Sequence, residues 1–73
     1  MSTKHEDRFV LLDDAGLRQL GIAFSRQHRH RLIRQGRFPR PVKVGENKNA
    51  WLASEIHDWI AARIAERDAE RAA

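Results

Sequence analysis

Three sets of side chains in this sequence have types and spacings that could do chemistry. The first is a basic run: from Arg26 to Lys48 there are eight Lys or Arg residues and one acid, Glu46. The rest of the chain holds six basic and nine acidic residues, so the net charge of +4 is a +7 segment set against −3. Charge gathered this way, beside Gln27, His30 and Asn49, suits the phosphates and base edges of nucleic acid. A merely solvated face is the plainer account of most charge runs, but such a face does not require the acids to be missing as well. The second set is His28 and His30, with His5 and His57 elsewhere. Their spacing matches no common zinc pattern, there is no cysteine, and residues two apart on a helix point to different faces. The third is Asp13 and Asp14, which before a short helix read as caps rather than as a general acid and base. Nothing supports nucleophilic or acid–base work, so the expectation is a non-enzyme without metal or cofactor.

The elements that must position these residues are short and well punctuated. At 73 residues the chain is one domain near the lower size limit for a lone hydrophobic core. Without cysteine, no disulfide can staple it. The expected core is Phe9, Leu17, Leu20, Ile22, Leu32, Ile33, Phe38, Trp51, Ile56, Trp59 and Ile64. Residues 1–8 read as a flexible N-terminal tail, residues 9–68 as the domain and residues 69–73 as a polar end. Asp13 or Asp14 caps a helix over Ala15–Leu20, and Gly21 stops it. Ser25 caps a second helix, Arg26–Gln35, which Gly36 stops in the same way. Two short helices joined by a few residues make a helix-turn-helix.

After Gly36 the period changes. Phe38-Pro39-Arg40-Pro41 cannot be helical. Val42-Lys43-Val44 alternates, with Lys43 outward. Residues 45–49 read as a turn, and Ala50-Trp51-Leu52 as the returning strand of a β-hairpin wing. Ser54 is expected to cap a third helix, with Glu55 and Asp58 in its positive first turn. Ile56, Trp59, Ile60 and Ile64 form one apolar stripe of that helix. Beyond Ala65 the helix should be solvated or fraying. Trp51 and Trp59 could be stacking platforms for single-stranded nucleic acid, but their settings favour core packing. No apolar run approaches the roughly 20 residues that cross a bilayer. The opening MSTKHEDRF lacks a signal peptide's apolar stretch, so the expectation is a cytoplasmic protein.

FSRQHRHRLIRQGRFPRPVKVG followed by NAWLASEIHDWIAARI resembles the AlpA family of small phage and mobile-element regulators. The resemblance covers roughly Phe9 to Asp68. Its motifs are the Ser-Arg opening of a helix, RLI then Gly, FP-x-PV, and AW-x-x-SEI-x-x-WI, individually short but jointly specific. It implies a mainly α fold with a small β-hairpin, a winged helix-turn-helix similar to the DNA-binding domain of MerR regulators and to excisionases. It also implies a DNA-binding function, either as a transcriptional regulator or as a recombination directionality factor that biases an integrase toward excision. The two roles stay open.

Within that frame the helical wheel assigns roles. With Leu32 and Ile33 inward, Gln27, His30, Arg31 and Arg34 face solvent, with Arg26 on their flank. Arg pairs bidentately with guanine and Gln with adenine, each worth about 1–3 kcal/mol of discrimination. First-turn residues of a recognition helix usually meet base edges, so Arg26 and Gln27 are expected to read sequence, His30 next, with Arg31 and Arg34 on phosphate. In the wing, Lys43, Lys48 and Asn49 reach backbone or minor groove. With Ser25 and Arg37 at the helix ends, these ten residues form the expected DNA-binding set. Arg29 is the misfit: it faces the core, where family members more often carry an aliphatic residue, and must snorkel, find a carboxylate or lie at an open edge. Double-stranded DNA is the expected partner, with an integrase and further copies of the chain on DNA as others, and no membrane. The alternative is a protein-interaction module or antirepressor whose basic face meets an acidic partner.

Overall fold

The computed structural model describes residues 9–72; the tail expected over residues 1–8, His5 included, lies outside them. In chain order the elements are β1 (Leu11–Leu12), α1 (Asp14–Gln19), α2 (Arg26–Arg34), β2 (Val42–Gly45), β3 (Lys48–Leu52) and α3 (Ala53–Ala72). Helices dominate, around a three-stranded antiparallel sheet of order β1-β3-β2.

Local chemistry sets the helix ends where the sequence placed them. The Asp13 carboxylate accepts the Gly16 N–H at 2.9 Å, and the Ser25 hydroxyl accepts the His28 N–H at 3.1 Å. Each occupies an N-cap and satisfies one amide that its helix leaves without a partner. Both helices stop in the same way, at glycines with φ of +87° (Gly21) and +72° (Gly36). The N–H groups of Gly21 and Ile22 return to the carbonyls of Arg18 and Leu17, and those of Gly36 and Arg37 to Ile33 and Leu32. This pairing needs a left-handed residue, which glycine adopts without steric cost.

The sheet departs from expectation in three ways. Leu11–Leu12 is a strand, pairing with Leu52 and Trp51; two residues carry no period of their own. The hairpin turn is tighter than the composition of residues 45–49 indicates, because Lys48 and Asn49 belong to β3. And β2 does not alternate between an apolar and a polar face: Val42 and Val44 are 41% and 48% exposed. Lys43 pairs across to Asn49 and Gly45 to Lys48, which leaves Val44 as the extra residue of a bulge. β2 is thus an exposed strand at the sheet's edge, while β3 is central and buries Ala50 and Trp51.

α3 begins at Ala53, so Ser54 lies inside its first turn rather than capping it, and Asp58 lies beyond that turn. The Ala53 N–H instead donates to the Val10 carbonyl at 2.8 Å. The helix runs unbroken past Asp68 to Ala72, with residues 64–71 exposed. Leu17 and Ile56 are fully buried, with Ile22, Phe38 and Trp51 beside them. Burying each such side chain contributes about 2 kcal/mol. Leu12, Phe24, Leu32, Ile33, Trp59 and Ile60 pack around this centre. Phe9, Leu20 and Ile64, expected in the core, are exposed, since a chain this small has too little interior for them. Phe24, Phe38, Trp51 and Trp59 meet edge to face. The two indole N–H groups find backbone carbonyls, Trp51 at Pro39 and Trp59 at Arg37. Both tryptophans are therefore packed and satisfied rather than presented as stacking platforms. Among the described residues no helix is long and apolar enough to cross a membrane.

Candidate nucleic-acid interface

α2 divides by its own geometry. His28, Arg29, Leu32 and Ile33 turn toward the rest of the protein, while Arg26, Gln27, His30, Arg31 and Arg34 are exposed. At 100° per residue the exposed five fill one continuous face. The histidines part as their spacing requires: His28 packs edge to face on Phe24 with centroids 4.9 Å apart, and His30 faces out. Among the described residues no group of three His, Cys, Asp or Glu side chains converges.

Ser25 is exposed, with its hydroxyl engaged in the cap. Arg37 presents its side chain to solvent while its backbone is fixed twice. Its N–H donates to Leu32 and its carbonyl accepts Trp59 Nε1–H at 2.8 Å. On the hairpin, Lys43 and Asn49 stand directly opposite each other across β2 and β3, side by side on one face. Lys48, the neighbour of Asn49 in β3, leaves on the other face. The structure therefore brings Lys43 and Asn49 together and separates Lys48 from them.

Arg40 was not among the expected contact residues. It is exposed between Pro39 and Pro41 and shares a shallow groove with Glu55 and Asp58. The signal for it was the charge count, which included it. Of the eight cations between Arg26 and Lys48, seven are exposed, and none of those seven pairs with a described carboxylate.

The eighth is Arg29, and it has found its carboxylate. Nη1 donates to Asp14 Oδ1 at 2.6 Å, and the guanidinium lies 4.8 Å from the centroid of the Trp51 ring. Asp14 also lies 3.4 Å from Arg18. The Arg29 hydrogen bond, aided by the charges of Arg29, Arg18 and Arg26 and opposed by burial, holds the Asp14 carboxyl below its ordinary pKa.

No solved structure matches this chain. The uncharacterized protein ORF88 of Enterobacteria phage P4 is 49% identical over 43 residues, which are 59% of this chain and 49% of that protein. The match thus spans about half the length of that relative. Residues 17–64, from the buried Leu17 through α2, the hairpin and most of the packed part of α3, match the family described as Prophage CP4-57 regulatory protein (AlpA). The chain belongs to the AlpA family of prophage regulatory proteins.

Proposed function

We propose that the chain is a sequence-specific double-stranded DNA-binding regulator of a mobile genetic element, folded as a winged helix-turn-helix. In this reading α1 and α2 are the helix-turn-helix and the β2–β3 hairpin is the wing. One observation carries it: seven exposed cations on and after α2, none of which forms an ion pair among the described residues. Such a cluster repels itself in the free protein. On a duplex the same charges displace condensed counterions, which is the main sequence-independent source of affinity.

α2 lies in the major groove. Arg26 and Gln27 read base edges from its first turn, followed by His30, while Arg31, Arg34 and Arg37 hold phosphates. Ser25 fixes the start of the helix. Lys43 and Asn49 meet the backbone or minor groove from one face of the wing, and Lys48 reaches from its tip. Binding of this kind serves a recombination directionality factor that shapes DNA for an integrase, a transcription factor of the same element, or one protein in both roles.

The test is duplex affinity across a salt series. Neutralising about five phosphates gives a slope near −4 to −5 in log affinity against log salt. A flat dependence would remove the basis of the reading. Capture of an acidic protein partner by a chain without duplex affinity would favour the antirepressor class instead.

A further inference from the structure

Arg29 is the one cation of the basic segment that is not exposed, and the DNA reading gives it no contact. Its side chain is 12% exposed, held between Asp14 and the ring of Trp51. Trp51 is itself 3% exposed, tied through Nε1–H to the Pro39 carbonyl at 3.0 Å and paired with Leu12 across the sheet. Asp14 opens α1, Arg29 sits within α2, and Trp51 lies in β3, so one side chain joins three elements.

We propose that Arg29 is a positioning residue: the Asp14–Arg29–Trp51 clip fixes the seat of α2, and so sets discrimination between DNA sequences more than overall affinity. The inference rests on the DNA-binding reading above. No residue of α2 is fully buried. Leu32 and Ile33 hold the helix by half-buried apolar contact, which is non-directional and tolerates a small slide or roll. A charge-assisted hydrogen bond fixes distance and angle, and a flat guanidinium over an aromatic ring fixes orientation. Base-edge contacts need side chains placed within about 0.5 Å. Phosphate contacts made by long, flexible Arg and Lys side chains do not. Loosening the clip should therefore cost sequence preference first.

The experiment starts from a duplex selected by the wild-type protein out of a random pool, compared with a scrambled duplex of the same composition. Asp14→Asn leaves a neutral amide oxygen facing Arg29 but removes the negative charge that makes the bond charge-assisted. Asp13→Asn removes the same charge one residue away while keeping the helix cap, because Asn caps about as well as Asp. Both variants should bind the scrambled duplex as tightly as wild type or slightly tighter. Only Asp14→Asn should lose the ratio of selected to scrambled affinity, by about fivefold or more, the low end of one misaligned base contact. Equal ratios in the two variants would overturn the inference.

If circular dichroism shows Asp14→Asn to be unfolded, Arg29→Lys carries the test. It keeps the charge and the reach but loses the flat face on Trp51. Its scrambled-duplex affinity should match wild type while its ratio falls, and an unchanged ratio would overturn the inference. A wild-type protein without any preferred duplex would instead overturn the DNA-reading function itself.

Discussion

Arg26 and Gln27 share the exposed face of α2 with Arg31 and Arg34, and the proposed function gives them different work by their position along the helix. In the proposed docking only the first turn reaches the groove floor, so Arg26→Ala or Gln27→Ala should relax preference at one or two base pairs. Lys43→Ala and Lys48→Ala should weaken all sequences about equally, and each should make the salt slope shallower by about 1. Site selection repeated with each variant separates these outcomes; unchanged preference in both α2 variants defeats the assignment. A second residue-scale prediction concerns Asp14. Its folded carboxyl releases its proton more readily than the unfolded one. Its stabilising contribution is therefore fully present above the ordinary carboxylate pKa and fades as pH falls through the lowered folded value. Urea denaturation should find wild type more stable than Asp14→Asn at neutral pH, with the gap closing in acid. The gap should be modest, since the Asp14 side chain is 52% exposed. A gap independent of pH would mean the carboxylate charge is not what Arg29 holds.

Elements were legible where their chemistry is local and obscure where it depends on a partner. Asp13, Ser25, Gly21 and Gly36 mark helix ends through contacts within five residues along the chain, so composition alone located α1 and α2. Leu11 and Leu12 are a strand only because Leu52 and Trp51 lie opposite, and no local pattern could announce that. Val42 and Val44 alternate with polar neighbours as a half-buried strand would, but every residue of β2 is exposed. Ile64 continues the apolar stripe of α3 beyond the end of the core it was expected to cover. For the candidate interface, the wheel sorted the α2 residues, whereas the split of Lys43 and Asn49 from Lys48 follows from the register of β3, which begins at Lys48 where composition indicates a turn. Arg29 looked out of place because its carboxylate lies 15 residues away in another helix. The join between α3 and the end of α2 can be tested directly. Trp59 packs on Phe24 and Phe38 and donates to the Arg37 carbonyl. Trp59→Ala should cost about 3 kcal/mol, toward the low end for a large-to-small change because the ring is only half-buried. Near-wild-type denaturation would show that α3 docks without it.

At the scale of the whole molecule, the proposed DNA binding leads to the expectation of arrays. One helix and one hairpin cover little DNA, and a single small module seldom buries enough surface for high specificity. Nothing among the described residues looks like a dedicated dimerisation element. The apolar stripe of α3 is taken up by the core as far as Ile60, and its solvated end carries the short-range pairs Arg63–Glu66 and Arg67–Asp68. A monomer is therefore expected in dilute solution. On DNA the situation changes. Copies that meet the same face of the duplex repeat about one helical turn apart, roughly 34 Å or 10 bp. The protein measures 44 × 38 × 21 Å, so two of its three dimensions exceed that repeat. Unless the shortest axis runs along the duplex, neighbours one turn apart are brought close enough for surfaces idle in the free protein to become contacts. The expected outcome is cooperative loading on adjacent sites, producing a stiffened or bent tract of the kind an integrase complex can be built on. Sedimentation of the free protein, with footprinting on DNA carrying one site and several sites at 10-bp spacing, measures both halves of this prediction. A stable dimer in solution, or independent filling of neighbouring sites, would show that specificity is assembled another way.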